Sequence, residues 1–297
     1  MSEIKKKGNY SRQRFELLDY IILFILLTFA VVIVVPFVSV IGTSFATQKE
    51  ALESTLLLFP KNPTIDNYYR LFQDPRIVIG YRSTFWILVL GVPLNLFLTT
   101  SLAYGLSRTN YPGAKFMFYA ILLTMLFNGG IVPLYILMLE LKLIDTIWSV
   151  ILAYGVNTFY FIIMRTYMTT LPDALIESAK IDGAGEWRIL FRIILPLSKP
   201  ILATVLLFYA VDRWNEWFNA MIFLRRKDLI PLQLVLRNIV MDTVIVDSLS
   251  IAGPRVPRYT EGIQSATIMV VMVPVMCFFP FLQKYFVKGI MIGAVKA

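Results

Sequence analysis

An all-helical membrane fold is predicted on three observations: 58% of the 297 residues are hydrophobic, 16% are charged, and the apolar residues arrive in six long blocks separated by charged segments. An ordinary soluble domain carries about 25% charged residues, so this apolar excess has no stable place on a wet surface. Six helices of about 20 residues use roughly 120 residues. The remainder is loops and tails, with no piece the size of a catalytic domain. The single cysteine, Cys277, lies in an apolar block and has no intrachain disulfide partner. Without histidine, and with one thiol, no zinc or haem site is expected. The net charge of +9 is read as a basic cytoplasmic face and not as a nucleic-acid surface.

Residues 1–16 form a polar basic tail that contains Lys5, Lys6, Lys7, Arg12 and Arg14. The first block, 17–40, is too long for a signal-peptide core and ends without a small-residue cleavage site, so it reads as a retained span. The other blocks are 83–106, 116–138, 144–164, 201–224 and 266–286, and the span-bearing unit runs 17–297. Block three holds Asn128, Gly129, Gly130 and Pro133, which predict a break buried against protein. Block five carries Asp212, Arg213 and Glu216. With both termini cytoplasmic, 15 lysines and arginines fall inside and 12 in the outer loops, and the basic tail directly precedes the first span.

That topology leaves two outer segments near 40 residues, 41–82 and 225–265, and an inner loop at 165–200. In the inner loop Thr170, Pro172 and Asp173 read as N-cap, first turn and N3 of a helix over 171–181. Asp173, Glu177 and Lys180 share one side, and Leu175, Ile176 and Ala179 supply an apolar one. Gly183 permits a tight turn, and 186–194 resumes helix until Leu195-Pro196 stops it. The predicted product is an elbow on the cytoplasmic face.

The string Glu177-Ser178-Ala179, three residues, Gly183, nine residues, Ile193, then Leu195-Pro196 resembles the EAA loop of permease subunits from ATP-binding-cassette importers. Ser178 departs from the family's alanine, a small side chain for a small one. Trp214-Asn215-Glu216-Trp217 is similar to a Trp-Asn pattern of the carbohydrate group, which includes maltose-type permeases, and Asp182-Gly183-Ala184 resembles the complex-oligosaccharide members. The resemblance implies a six-span importer-permease fold with a cytoplasmic coupling helix, in a bacterial cell membrane. It also implies an ATPase-docking role for Glu177, Ser178, Ala179, Asp182, Gly183, Ile193, Leu195 and Pro196. The implied partners are a second homologous permease, a cytoplasmic ATPase dimer and an extracytoplasmic solute-binding protein. ATP and Mg belong to the ATPase, because this chain has no Gly-x-x-x-x-Gly-Lys-Ser/Thr loop and needs no cofactor of its own.

Sugars are held by aromatic faces and planar polar groups, so Tyr119, Asn128, Tyr154, Asn157, Tyr160, Asn215 and Trp217 are candidate path residues. Glu216 and Asn219 join them, since Asp212, Glu216 and Asn219 fall near one helical face with Arg213 offset by about 100 degrees. Three roles stay open for these ionisable groups: a structural network, contact with the path, or an interfacial or re-entrant placement. Two transport rivals also stay open: an importer of another solute class, and a proton-coupled transporter relaying through Asp212 and Glu216. No nucleophile-base pair emerges for an enzyme.

Overall fold

The computed structural model describes residues 17–54, 56–108, 112–248 and 261–294, and all regular structure among them is helical. Helix α1, Leu17–Ser44, is a 28-residue apolar run whose side chains are exposed from residue 17 to 34. It lies along the last helix of the chain. Thr47 caps α2, Gln48–Glu53, and α3 spans Asp66–Phe72. Buried Asn67 of α3 donates to the carbonyls of Ser44 at 3.0 Å and Ala46 at 2.8 Å, which closes the C-terminal end of α1.

Helix α4, Pro75–Ser107, is the central post. Its start is set by Asp74, whose carboxylate accepts from Arg76 N at 2.9 Å, and by Pro75 in the first turn. Ser83, Thr84, Asn95, Thr99 and Thr100 are buried along it, small groups that let other helices approach closely. Next come α5, Ala114–Leu126, and α6, Ile131–Glu140, bent by 116° at residues 127–130. The predicted break is there, but its side chains are exposed instead of buried. The reason is that α5 packs on α8, Thr158–Met168, and α6 on α7, Ile147–Ala153, and no element among the described residues covers the corner between them. α7 and α8 themselves meet at 56°. Asn157 restarts the helix by accepting from Phe159 N at 2.9 Å and Tyr160 N at 3.3 Å.

The inner loop folds as α9, Ala174–Ile181, then α10, Glu186–Ile189, a π-turn over Leu190–Ile194, and α11, Leu195–Leu197, before α12, Lys199–Trp214, leaves at 88°. Two expectations change here. Thr170 does not cap α9, because its hydroxyl donates to Tyr167 O at 2.7 Å and closes α8 instead, so α9 starts three residues late. Leu195-Pro196 does not stop the helix either. The wider π-turn ahead of Pro196 absorbs its missing N–H and ring, and the chain breaks only at Ser198.

Block five, read as one span over 201–224, divides into α12 and α13, Phe218–Phe223, with residues 215–217 between them. A 3₁₀ turn at Lys227–Leu229 leads to α14, Leu232–Ser248, and the chain ends in α15, Glu261–Ala294. The expected tail at 1–16 and residues 249–260 of the 225–265 segment lie outside the described residues. Among the described residues two helices, α1 and α4, are long and apolar enough to cross a membrane, and three bent pairs qualify if each is one span.

One core joins α4, α8, the inner loop and α12 through Phe161, Met164, Met168, Ile189, Ile194 and Tyr209. A second gathers Leu71, Ile77, Leu232, Ile239 and Ala266 at the other end. The inner loop is therefore part of a folded core. Each fully buried Ile contributes about 1.5–3 kcal/mol relative to exposure in water.

Candidate functional site

The elbow begins with the glycine that ends α9. Gly183 has φ +76°, its N–H donates to Lys180 O at 3.0 Å, and Ala184 N reaches back to Ala179 O at 2.9 Å. These bonds satisfy carbonyls of the last turn and reverse the chain within two residues. A Cβ at 183 would meet nothing within 4 Å, so glycine is needed there for its φ and not for space inside the chain. Ile176 and Ala179 turn inward, 6% and 8% exposed, while Glu177, Ser178, Asp182 and Gly183 face outward. Ser178 folds its hydroxyl back on Ala174 O at 2.8 Å. Ile193 and Leu195 are half-buried against the core and Pro196 is exposed.

Two polar links fasten this elbow to the C-terminal end of α4. Arg108 Nη1 pairs with Asp173 Oδ1 at 2.6 Å, and Tyr104 OH donates to Glu186 Oε2 at 2.5 Å while Lys180 Nζ holds Glu186 Oε1 at 2.7 Å. The ammonium of Lys180, and next the Tyr104 hydroxyl, hold the Glu186 carboxyl below its usual range. Arg165 completes the junction by donating from Nε to Leu106 O at 2.7 Å, with its guanidinium 4.0 Å from the centre of the Phe118 ring. The inferred Asp173, Glu177, Lys180 row does not pair with itself, because Asp173 and Lys180 are taken by Arg108 and Glu186. No sequence spacing marks these partners.

Further up α12 lies a buried knot. Arg213 is 3% exposed, and its guanidinium makes five hydrogen bonds: Nε to Asn95 Oδ1, Nη1 to Val150 O and Glu216 Oε2, and Nη2 to Ile151 O and Tyr154 O, at 2.9–3.4 Å. All five N–H donors of the side chain are used. Helix α7 ends at Ala153 with Val150 and Ile151 fully buried, and a cation at a helix C-terminus is the group that satisfies their carbonyls. Glu216 also accepts from Asn219 N and Nδ2 at 3.0–3.1 Å.

The helical face inferred for Asp212, Glu216 and Asn219 is thus corrected. The break after Trp214 ends the wheel, and Glu216 and Asn219 join Arg213 instead. Asp212 stands apart, exposed, accepting Tyr160 OH at 2.8 Å. Glu216 and Asn219, 8% and 9% exposed, are bound into the knot.

The other path candidates form two groups. Around the α7–α8 corner, Tyr154 is 44% exposed, and Asn157 N donates to Tyr209 OH at 3.0 Å, beside Tyr160 stacked edge-on to Tyr209. Beside α14, Asn215 accepts from Gln233 Nε2 at 3.0 Å, and Trp217 lies under the Arg237 guanidinium at 4.9 Å. Tyr119 and Asn128 sit apart on exposed faces of α5 and its corner. Tyr104, Arg108 and Glu186 went unnoticed in the sequence. An arginine inside an apolar block was the one signal that could have singled out the Arg213 knot.

The fold recurs in a solved structure, a bacterial ABC transporter involved in the import of the acidic polysaccharide alginate. The match has TM-score 0.82 and 28% identity, covering 92% of this chain and 99% of that one. In sequence the chain is 37% identical over 281 residues to the polygalacturonan/rhamnogalacturonan transport system permease protein YtcP of Bacillus subtilis strain 168, covering 94% of this chain and 98% of that protein. It is 31% identical over 284 residues to the galactooligosaccharides transport system permease protein GanQ of the same organism, 92% and 94% covered. No family model matches the chain.

Proposed function

The chain belongs to the permease subunits of carbohydrate ABC importers, and from that premise we propose how it works: as one of two homologous six-span permeases, with the elbow as the lever that a cytoplasmic ATPase dimer moves. It is a transport subunit of an ATP-driven sugar importer, not an enzyme. ATP and Mg act on the separate ATPase. The six spans are α1, α4, the α5–α6 pair, the α7–α8 pair, α12 with α13, and α15. Both termini, with the tail at 1–16, are cytoplasmic, and the 165–200 loop is the coupling element of a single permease domain over 17–297.

The observation that carries this reading is the rigid attachment of the elbow. Gly183 sets its corner, Glu177, Ser178 and Asp182 stand on its open side, and Arg108, Tyr104 and the buried isoleucines root it to α4 and α12. A force on the open side is therefore delivered to two spans as a body movement. Ala179 acts from within, holding α9 against the core. Ile193, Leu195 and Pro196 form the arm that turns into α12.

Solute arrives from an extracytoplasmic binding protein and enters between the permeases when ATP closes the ATPases. Reopening after hydrolysis returns the cavity inward, so the two states differ in what they bind and no bond in the solute changes. Tyr154, Asn157, Asn215 and Trp217 are the path-facing groups, with Tyr119 and Asn128 toward the second permease. The substrates of YtcP, GanQ and the alginate transporter favour an oligosaccharide as the cargo.

Mild detergent extraction from native membranes, followed by mass spectrometry of the copurifying proteins, tests this. Wild type should bring down an ATPase and a second permease. A Gly183→Trp variant, strained at φ +76° and bulky on the open side, should lose the ATPase and keep the permease partner. Recovery of wild type alone under several mild detergents would sink the proposal.

A further inference from the structure

The break after α12 is tied to α14 by two side-chain rungs that coupling leaves without a role. Gln233 Nε2 donates to Asn215 Oδ1 at 3.0 Å, and the Arg237 guanidinium lies 4.9 Å from the centre of the Trp217 ring. Gln233 and Arg237 share one face of α14 because they stand four residues apart on a helix. Both meet residues 215–217, where the chain is not helical.

Arg237 is the unusual member. It is half-buried, and among the described residues its guanidinium meets no carboxylate and makes no hydrogen bond. Its neighbours three and four positions away on the helix are Gln233, Leu234, Val240 and Met241, so its own face supplies no acid. The acids of the facing segment are engaged elsewhere: Asp212 accepts from Tyr160, and Glu216 from Arg213 and Asn219. Unlike Nε and Nη2 of Arg108, no nitrogen of Arg237 is sealed from solvent without a partner.

A guanidinium laid on an aromatic ring keeps its N–H edges free, and such an edge is the fork that grips both oxygens of a carboxylate. A half-buried cation without a counter-charge is costly. A cargo that brings its own carboxylate removes that cost, and a neutral one does not.

The neighbours supply the rest of a sugar site. Trp217 is 37% exposed and offers ring surface to sugar C–H groups. Gln233 Oε1 accepts from no donor among the described residues and is open to a ring hydroxyl. One turn of α14, a rise of about 6 Å, separates it from Arg237, comparable with the width of a pyranose ring.

We propose that Arg237 is the carboxylate-recognising residue of the translocation path, with Trp217, Gln233 and Asn215 around the same sugar, and that the cargo is an oligosaccharide of uronates in preference to a neutral one. The inference rests on the path placement of Asn215 and Trp217 given above and adds to it the charge of the cargo.

The test reconstitutes the full importer with its binding protein into proteoliposomes and measures ATP-driven uptake of radiolabelled trigalacturonate and of the neutral trisaccharide made by reducing its carboxyl groups. Wild type is compared with Arg237→Gln and Arg237→Lys, with thermal melting as the check on folding. The binding protein is the same throughout, so a change in the ratio of acidic to neutral uptake belongs to the permease. Wild type should favour the uronate. Arg237→Gln should lower the ratio at least tenfold, and Arg237→Lys, which keeps the charge and loses the fork, should fall between. An equal fall for both sugars in Arg237→Gln overturns the proposal and makes Arg237 a support for Trp217. A ratio unchanged in all three proteins overturns it too, as does a wild type that prefers the neutral sugar or takes up neither. Copurification of the ATPase tests the transport reading on its own, so the two failures are distinguishable.

Discussion

The Arg213 knot and the Arg108 clasp are built from the same chemistry, an arginine, a carboxylate and backbone carbonyls nearby, yet they are opposites. Arg213 is 3% exposed with every donor matched. Arg108 pairs with an Asp173 side chain that is 77% exposed and leaves two nitrogens unmatched. A buried, fully satisfied charge network has one acceptable geometry, because any shift strands a charge in low dielectric. A wet, partly satisfied one can be remade at small cost. The knot therefore fixes α4, α7 and α12 to one another, while the elbow is held firmly by its buried isoleucines and the Arg108 pair adds a fastening that can be remade.

Replacing Arg213 by Met should break the contrast most severely. It removes the only cation from three carbonyls and leaves Glu216 uncompensated, a loss of about 3–5 kcal/mol. Thermal melting in detergent should show it, and adding Glu216→Gln should restore part of the loss. A melting temperature equal to wild type would mean that the knot is not the rigid hub.

Tyr104→Phe is the middle case. It deletes one hydrogen bond to a half-exposed carboxylate, worth roughly 1 kcal/mol, so the fold should persist. The expected effect is on coupling, with more ATP hydrolysed per sugar taken up. An unchanged ratio would remove Tyr104 from the lever.

The smallest effect is the pH response of Glu186. Its folded pKa lies below the unfolded value near 4.5, so its contribution is complete above that value and disappears as pH falls through the lower, folded one. Lys180→Gln removes the largest cause and should move the acid loss of elbow structure to higher pH, followed by protease nicking at residues 181–185. A variant that titrates like wild type would show the clasp to be ornamental.

The contrast also explains what was legible beforehand. The elbow's glycine can be read because a backbone reversal demands a particular residue at a particular place. The apolar runs of α1 and α4 follow from hydropathy, although α4 begins at Pro75, eight residues ahead of its block. A structural network was among the roles open to Arg213 and Glu216, but its partners were illegible, since Arg213 finds carbonyls of Val150, Ile151 and Tyr154 some 60 residues away, and a carbonyl carries no sequence signature. The corner at Tyr154–Asn157 and the division of block five escaped for a related reason: in each, side-chain bonds from another helix support a break that local propensity does not announce. Thr170 misled because a threonine hydroxyl serves the end of one helix as readily as the start of the next.

The packing of α1 along α15, with Asn67 wedged where Gly262 leaves no room for a Cβ, joins the earliest part of the chain to the latest. During synthesis α1 enters the bilayer long before its main neighbour exists, and it must wait in lipid while more than 200 residues are translated. Completion of the last helix is thus the step that closes the molecule. A ribosome that stalls short of Glu261 leaves behind a chain with its first helix unclaimed, which membrane quality control can recognise by that vacancy.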